Sequence, residues 1–277
     1  MAGENWTVTG PQTVDFDGVT SLKLGIVRGR FNVITQDGPA VRLDVAEVQG
    51  DPLAVSLVDG RLEIRHQLHG AQGWFRTLME TVNHNSDNCT VLTVSVPPGV
   101  GVEAGTVSGE GHVTGLRAPV RLNTVSGSLV AEGTAGDLQV NTVSGSVAVR
   151  NHRGVLNAKS VSGEVAASGH FTNVRTNTVS GHITVELLGH TQDFGSNSVS
   201  GDLTIHLPHD LGVDLVAKSA GGPVVIDGDH CVPTGGKVET IAGPDAQLML
   251  VRTNSVSGRT SILHMPAPVD GGGEAGA

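Results

Sequence analysis

Aspartate, histidine and serine are the residues of this chain whose types and spacing could perform chemistry. The tightest polar group consists of Asp227, Asp229 and His230. Two carboxylates on adjacent strands could hydrolyse a glycosidic bond, because that reaction uses a pair of acids on either side of the bond. However, Asp227-Gly228 is also a dipeptide that favours tight turns. We therefore interpret this group as a turn, and a carbohydrate-active β-helix enzyme stays as an alternative function.

Histidine and cysteine could bind a metal ion. Two pairs of histidines have a spacing of three, His66 with His69 and His206 with His209. On a strand this spacing directs the two side chains to opposite faces, whereas metal ligands must converge. Cys89 and Cys231 fit no metal-binding spacing, and we interpret both as small buried apolar residues. The sequence therefore predicts no metal site, no cofactor and no catalytic residue.

Serine recurs in a short phrase, Thr/Ser-Val-Ser-Gly, which appears nine times between residues 107 and 258 if two degenerate copies are included. The first five copies are separated by a constant step of 18 residues and end at Gly109, Gly127, Gly145, Gly163 and Gly181. A serine present in every repeat is structural rather than a single nucleophile. A fixed period indicates units that bury their apolar faces by stacking on one another.

The residues within one repeat predict β-strands. Leu138, Val140, Val147 and Val149 alternate with polar residues, as is typical of strands. We expect Val143 to face the same interior, which requires corners near Asn141 and Gly145. An asparagine directly precedes the phrase in several repeats, and stacking would align these side chains in a hydrogen-bonded ladder. The asparagines are Asn123, Asn141, Asn177, Asn197 and Asn254.

The period and the composition together predict the fold class. The chain contains 39 glycines, and its Val, Thr and Ser residues follow no helical period. Identical residues that return every 18 positions indicate parallel coils about 4.8 Å apart. We predict an all-β fold, a parallel β-solenoid (β-helix) with coils of about 18 residues and a right-handed path. A sandwich of antiparallel hairpins is the alternative.

The inward orientation of the central valine would place a hydroxyl on each side of it at the surface. Two regular hydroxyl rows on a flat face could bind a periodic lattice such as ice or a polysaccharide. The other interpretation is that small hydroxyl residues suit stacked strands. The predicted interaction face consists of Thr124, Ser126, Thr142, Ser144, Ser160, Ser162, Thr178, Ser180, Ser198 and Ser200.

The regularity of the pattern divides the chain into three parts. Residues 1–90 alternate less regularly and form an N-terminal β-region. Residues 66–90 interrupt it with a short helical or loop insert around Trp74 and Phe75, which caps the solenoid or contacts a partner. Residues 91–265 carry the regular repeats. The tail, 266–277, has too few apolar residues to order itself.

Composition restricts the possible partners. The net charge is −10, and the 17 basic residues are scattered, which argues against nucleic acid. Only 3% of the residues are aromatic, and no tyrosine is present, so stacking on sugar rings is disfavoured. No apolar run has the length needed to cross a bilayer. The first residues do not resemble a secretory signal, so we expect a cytoplasmic protein and leave surface association open.

The repeat phrase, the lead-in from Val94 to Val102 and the strand from Asp59 to Ile64 resemble the bacterial family of adhesin-like β-strand-repeat proteins, a domain family of unknown function. The resemblance covers residues 20–263. It implies a repeat β-fold and assigns no functional residues. The predicted function is a non-enzymatic scaffold or adhesin-like binding module for a protein or glycan surface. The enzyme and the lattice binder are the alternatives.

Overall fold

The computed structural model describes residues 4–66, 88–244 and 247–266 of the chain. Within these ranges every regular element is a strand, because short Val-, Leu- and Thr-rich segments alternate in polarity between glycine-containing turns. The strands of the N-terminal part are β1 Glu4–Val8, β2 Gln12–Phe16, β3 Ser21–Ile26, β4 Arg28–Thr35, β5 Val41–Gln49, β6 Leu53–Val58 and β7 Arg61–His66.

The repeat region begins with β8. Its strands are β8 Cys89–Val96, β9 Gly101–Thr106, β10 Glu110–Thr114, β11 Val120–Thr124, β12 Ser128–Glu132, β13 Ala135–Thr142, β14 Ser146–Ser160, β15 Val165–Thr178, β16 Ile183–Leu187, β17 Asp193–Ser198, β18 Leu203–Leu207, β19 Gly212–Ser219, β20 Val224–Ile226, β21 Asp229–Cys231, β22 Lys237–Ala242, β23 Leu248–Ser255 and β24 Thr260–His264.

The repeats stack in parallel on two faces. On the first, which we call the asparagine face, β9, β11, β13, the second half of β14, the second half of β15 and β17 follow one another. On the opposite face the order is β10, β12, the first halves of β14 and β15, β16 and β18. Thr124 pairs with Thr142, which is 18 residues later, so the sequence period is the hydrogen-bonding register.

The core lies between the two faces. Alternate side chains of each strand point inward, so Leu138 and Val140 of β13 meet Val147 and Val149 of β14 in one buried cluster. All four are at most 2% exposed. Burial of aliphatic side chains of this size stabilises the fold by about 1.5–3 kcal/mol each.

Chain order and stacking order differ at both ends of the stack. β3 lies between β7 and β9. β4 lies between β8 and β10. At the other end, β23 lies between β17 and β19, and β24 lies between β18 and β20. An early repeat and the last described repeat are therefore each inserted between two neighbours.

Beyond these inserted repeats the pairing becomes antiparallel. β7 continues to β6 and β1, and β8 continues to β5 and β2. At the carboxyl end, β22 pairs with β19, and β21 pairs with β20. Asp59-Gly60 and Asp227-Gly228 connect two of these hairpins with positive φ at both residues, as a two-residue turn of this type requires.

The all-β expectation is confirmed, and the sheet is mixed because antiparallel strands close both ends of the parallel stack. Most of the predicted insert at 66–90 lies outside the described residues, although His66 ends β7 and Cys89 begins β8. Residues 267–277 of the predicted tail also lie outside them. In the described part of the chain, no helix is long and apolar enough to cross a membrane.

Candidate functional site

In the repeats that keep the full phrase, Val-Ser-Gly forms the corner, and the hydroxyl residue before it points inward. Thr142 is 4% exposed, and its Oγ1 donates a hydrogen bond of 2.8 Å to the carbonyl of Gly145. Thr124 and Ser160 make the same contact with Gly127 and Gly163. A buried hydroxyl is thus satisfied by the carbonyl three residues later, which fixes the corner geometry.

The predicted outward orientation is therefore wrong for one of the two hydroxyl rows. Its buried members are Thr124, Thr142, Ser160 and Thr178, and Ser198 is half-buried. The predicted inward position of the central valine is also wrong, because Val161 and Val179 are 47% and 49% exposed and Val143 is half-buried. The strand runs straight to Thr142 and turns only after it, so alternation from Val140 places Thr142 inside and Val143 at the corner.

The second hydroxyl row is exposed, as the sequence predicts, and it consists of Ser126, Ser144, Ser162, Ser180 and Ser200. These side chains bond within the stack. Ser144 Oγ donates to the carbonyl of Val125 at 3.0 Å, and Ser162 Oγ donates to that of Val143 at 3.1 Å. Each serine thus links its repeat to the preceding one. Its use as an interaction face stays a prediction.

The asparagine ladder is present on the face named after it. Asn141 Nδ2 donates to Asn123 Oδ1 at 2.8 Å, and Asn254 Nδ2 donates to Asn197 Oδ1 at 3.0 Å. Lys159 occupies the equivalent position between Asn141 and Asn177 and interrupts the ladder. Because the later asparagines are exposed, the ladder presents amide groups to solvent at intervals of about 4.8 Å.

A groove of about 540 Å³ crosses the asparagine face near its amino-terminal end. Gly101, the first residue of β9, and Pro119, which directly precedes β11, both line it, and neither contributes a long side chain. The basic residues Lys23, Arg61 and Arg121 line it together with the acids Glu103 and Asp137. Arg121 Nε donates to Gln139 Oε1 at 2.8 Å. The groove therefore combines charged groups with a depression in the sheet surface.

The Asp227 group forms a turn, which confirms that interpretation. Asp227 has a φ of 53° in the turn between β20 and β21. Its Oδ1 accepts from the backbone N–H of His264 at 2.8 Å, and its Oδ2 lies 2.7 Å from His264 Nδ1. His264 Nε2 contacts the carbonyl oxygen of Leu211 at 2.9 Å. The carboxylate thus ties the end of β24 to the adjacent hairpin.

Two buried histidines have structural contacts. His66 lies between the Asp51 carbonyl, 3.1 Å from Nδ1, and the Thr90 hydroxyl, 2.9 Å from Nε2. His152 Nδ1 contacts Thr134 Oγ1 at 2.9 Å, whereas its Nε2 is buried without a hydrogen-bond partner among the described residues. Burial lowers the pKa of both imidazoles, since a buried charge is poorly solvated.

The cysteines lie at opposite ends of the stack, Cys89 in β8 and Cys231 in β21. Both thiols are free and half-buried, and burial raises the pKa of Cys231. In the described ranges no three His, Cys, Asp or Glu residues converge on a possible metal position. His69 lies outside those ranges, and His206 is half-buried on β18 while His209 is exposed.

Sequence reasoning missed the groove, the contact of Asp227 with His264, and the contact of Thr134 with His152. The spacing of 18 between Thr134 and His152 could have indicated the last of these. The groove had no such signal, because Arg61, Lys23 and Arg121 become neighbours only through the insertion of β3 between β7 and β9.

Several solved structures resemble this fold. A putative lipid binding protein from Parabacteroides distasonis ATCC 8503 aligns with a TM-score of 0.54 and 13% identity, over 93% of this chain and 97% of the other. A putative adhesin from Bacteroides fragilis NCTC 9343 aligns with a TM-score of 0.41 and 11% identity, over 95% and 96% of the two chains. At these identities the likeness concerns the fold alone.

No curated protein matches the chain. The family described as Toastrack DUF4097 matches residues 43–218, which run from β5 to β19 and include most of the parallel stack. This match covers more than half of the sequence, and it includes the phrase whose glycines, hydroxyls and asparagines form the corners described above. The chain therefore belongs to the Toastrack DUF4097 family, a domain family of unknown function.

Proposed function

We propose that this protein is a non-enzymatic, adhesin-like binding module built on a right-handed β-solenoid of about 18 residues per coil. The parallel pairing of Thr124 with Thr142, and of Thr142 with Ser160, supports the solenoid. An experimentally determined structure with a left-handed path between successive strands would contradict the proposed hand.

The observation that carries the binding function is the asparagine face. Its ladder from Asn177 through Asn197 to Asn254 presents side-chain amides at a regular interval on a rigid surface. A ligand with its own repeat, such as a glycan or an extended protein segment, can accept and donate hydrogen bonds along such a row. The names of the structural neighbours, which include adhesins, agree with a binding role.

The purified full chain should be screened against glycans, cell-wall fractions and phospholipid vesicles, because one neighbour carries a lipid-binding name. We expect saturable binding to at least one of them. Asn177→Glu, on the asparagine face, should weaken that binding several-fold. Thr184→Glu, which makes the same acidic change on β16 of the opposite face, is the matched control.

Two results would contradict the proposal. The first is hydrolysis of a glycan substrate by the wild-type protein, which would favour the carbohydrate-active alternative. The second is a saturable ligand whose affinity falls with Thr184→Glu and is unaffected by Asn177→Glu, which would move the binding surface to the opposite face. Thermal unfolding of both variants establishes that each is folded.

A further inference from the structure

The groove on the asparagine face has a shape suited to an elongated ligand. It extends along the stack, perpendicular to the strands, from Arg61 in β7 past Gly101 in β9 to Gln139 in β13 and Asn157 in β14. Successive strands are about 4.8 Å apart, so the five steps from β7 to β14 span roughly 24 Å. That length fits several residues of an extended polymer rather than one small molecule.

Three basic side chains line this groove beside two acids, and they form no ion pair with an acid among the described residues. Among the described residues, neither Lys23, Arg61 nor Arg121 has a carboxylate within 4 Å, whereas Arg30 and Arg42 on the opposite face do. Glu103 is in register with Lys23 and Arg121, Glu63 is in register with Lys23, and Asp137 lines the groove. These acids reduce the local charge, and none of the described ion pairs joins them to the three cations. The groove therefore retains cationic groups that can bind an anion.

The described lining residues also do not provide for the stacking of sugar rings on aromatic side chains. None of the described residues that line the groove is aromatic, so these residues can hold a ligand by charge and by hydrogen bonds. Arg121 and Arg61 can each form two parallel hydrogen bonds with one carboxylate. Gln139 and Asn157 supply amides that can bond to hydroxyl groups.

We propose that this groove binds a carboxylate-bearing polysaccharide, whose acidic groups pair with Lys23, Arg61 and Arg121. The proposal rests on the binding function proposed above and names its ligand class. A polymer fits better than an anionic membrane, because the cations line a depression, and the exposed valines such as Val179 lie at the repeat corner rather than beside it. Beyond the groove, the bound polysaccharide continues over the asparagine ladder.

Binding should be measured by calorimetry with polygalacturonate oligomers as the probe, and with dextran and phosphatidylglycerol vesicles for comparison. The variant Lys23→Gln, Arg61→Gln, Arg121→Gln should bind polygalacturonate about tenfold more weakly or worse, because each exposed pair contributes modestly. Salt should weaken binding of the wild type more than that of the variant.

Arg150→Gln, an equal change of charge per site on the opposite face, is the control. Its affinity for polygalacturonate should stay within about twofold of that of the wild type. Arg61→Glu alone should also weaken the binding of polygalacturonate. Because Arg61 is exposed, this second variant should have little effect on folding.

Equal affinity of the triple variant and the wild type would overturn the proposal, as would tighter binding to dextran or to vesicles than to polygalacturonate. A neutral glycan that binds in an Asn177-dependent manner would refute the carboxylate ligand and leave the binding function intact. Failure of every glycan, wall fraction and vesicle to bind would contradict the binding function itself.

Discussion

The buried hydroxyls at the corners of the central repeats contribute more to stability than their small size suggests. The Oγ1 of Thr142 is enclosed by the turn that its own hydrogen bond to Gly145 closes. Removal of the hydroxyl leaves a buried carbonyl without this donor, and such a group costs free energy because water cannot replace it. The exposed serine two residues later is different, since water can reach its partner.

Thr142→Val keeps the shape of the side chain and removes the hydroxyl. We expect a loss of about 1–2 kcal/mol in the free energy of unfolding. Ser144→Ala, the control in the same corner, should cost about 0.5 kcal/mol or less because its hydroxyl is exposed. Urea denaturation of both variants measures the difference, and equal losses would contradict the assigned orientation of the corner.

The two buried histidines predict a dependence of stability on pH. Because burial lowers the pKa of His66 and His152, the unfolded chain binds more protons than the folded one below about pH 6.5. The contribution of the two neutral histidines to the free energy of unfolding is complete above that pH. It is lost as the pH falls, by at most about 1.4 kcal/mol per pH unit for each histidine.

His152→Leu should reduce this loss of stability in acid. The measurement is the difference between the urea midpoints at pH 7.5 and pH 5.5. The leucine cannot titrate and packs in the apolar environment of Phe171. The wild-type protein, measured at the same two pH values, is the reference. An unaltered pH dependence in His152→Leu would show that this imidazole is not protonated preferentially in the unfolded chain.

The repeated element depends on a glycine column at the corners. A Cβ built on Gly145 would lie 2.2 Å from the carbonyl oxygen of Gly127 and 2.9 Å from Thr124 Cγ2. Backbone of the preceding repeat occupies the space that any side chain would need. The glycine therefore sets how closely successive repeats approach, independently of any special φ value.

Gly145→Ala should force neighbouring repeats apart and destabilise the fold by about 2 kcal/mol or more. Gly25→Ala, in β3, meets no atom within 4 Å and serves as the matched control. It should have little effect or be slightly stabilising, since alanine restricts the unfolded chain. The midpoint of thermal unfolding distinguishes the two variants, and comparable behaviour would contradict the close contact.

At the level of elements, the sequence predicted what the 18-residue period encodes directly. The register of Asn123 on Asn141 and the turn at Asp227 follow from spacing and local propensity. The orientation of Val143 was predicted wrongly because alternation was continued around a corner whose position was set one residue too early. The groove could not be predicted, because it depends on which distant strands pair.

The whole molecule is closed at both ends by antiparallel strands, and each inserted repeat has neighbours on both sides. β23 and β24 come last in the described sequence but lie inside the stack, while β21 and β22 form its carboxyl edge. Position along the chain therefore does not indicate position in the stack. Protection of the backbone should follow the stack, because edge strands open more readily than central ones.

Hydrogen exchange measured by mass spectrometry tests this arrangement. We expect amides of β23 and β24 to exchange as slowly as those of β13, and amides of β21 and β22 to exchange first. β13 serves as the internal reference because it lies between β11 and β14 in the centre of the stack. Exchange that is fastest in β23 and β24 would show that the last repeat is not inserted.

The inserted last repeat also determines how the molecule carries tension. A pull on the carboxyl end of β24 is opposed by hydrogen bonds to β18 on one side and to β20 on the other. The strand must therefore be sheared out from between two neighbours, whereas an end repeat would be peeled away bond by bond. In force spectroscopy we expect one dominant rupture followed by extensions of about 60 Å for each released 18-residue unit, and a series of small equal steps from the start would contradict it. Insertion of β23 and β24 between neighbouring strands thus makes this repeat resist a pull along the chain.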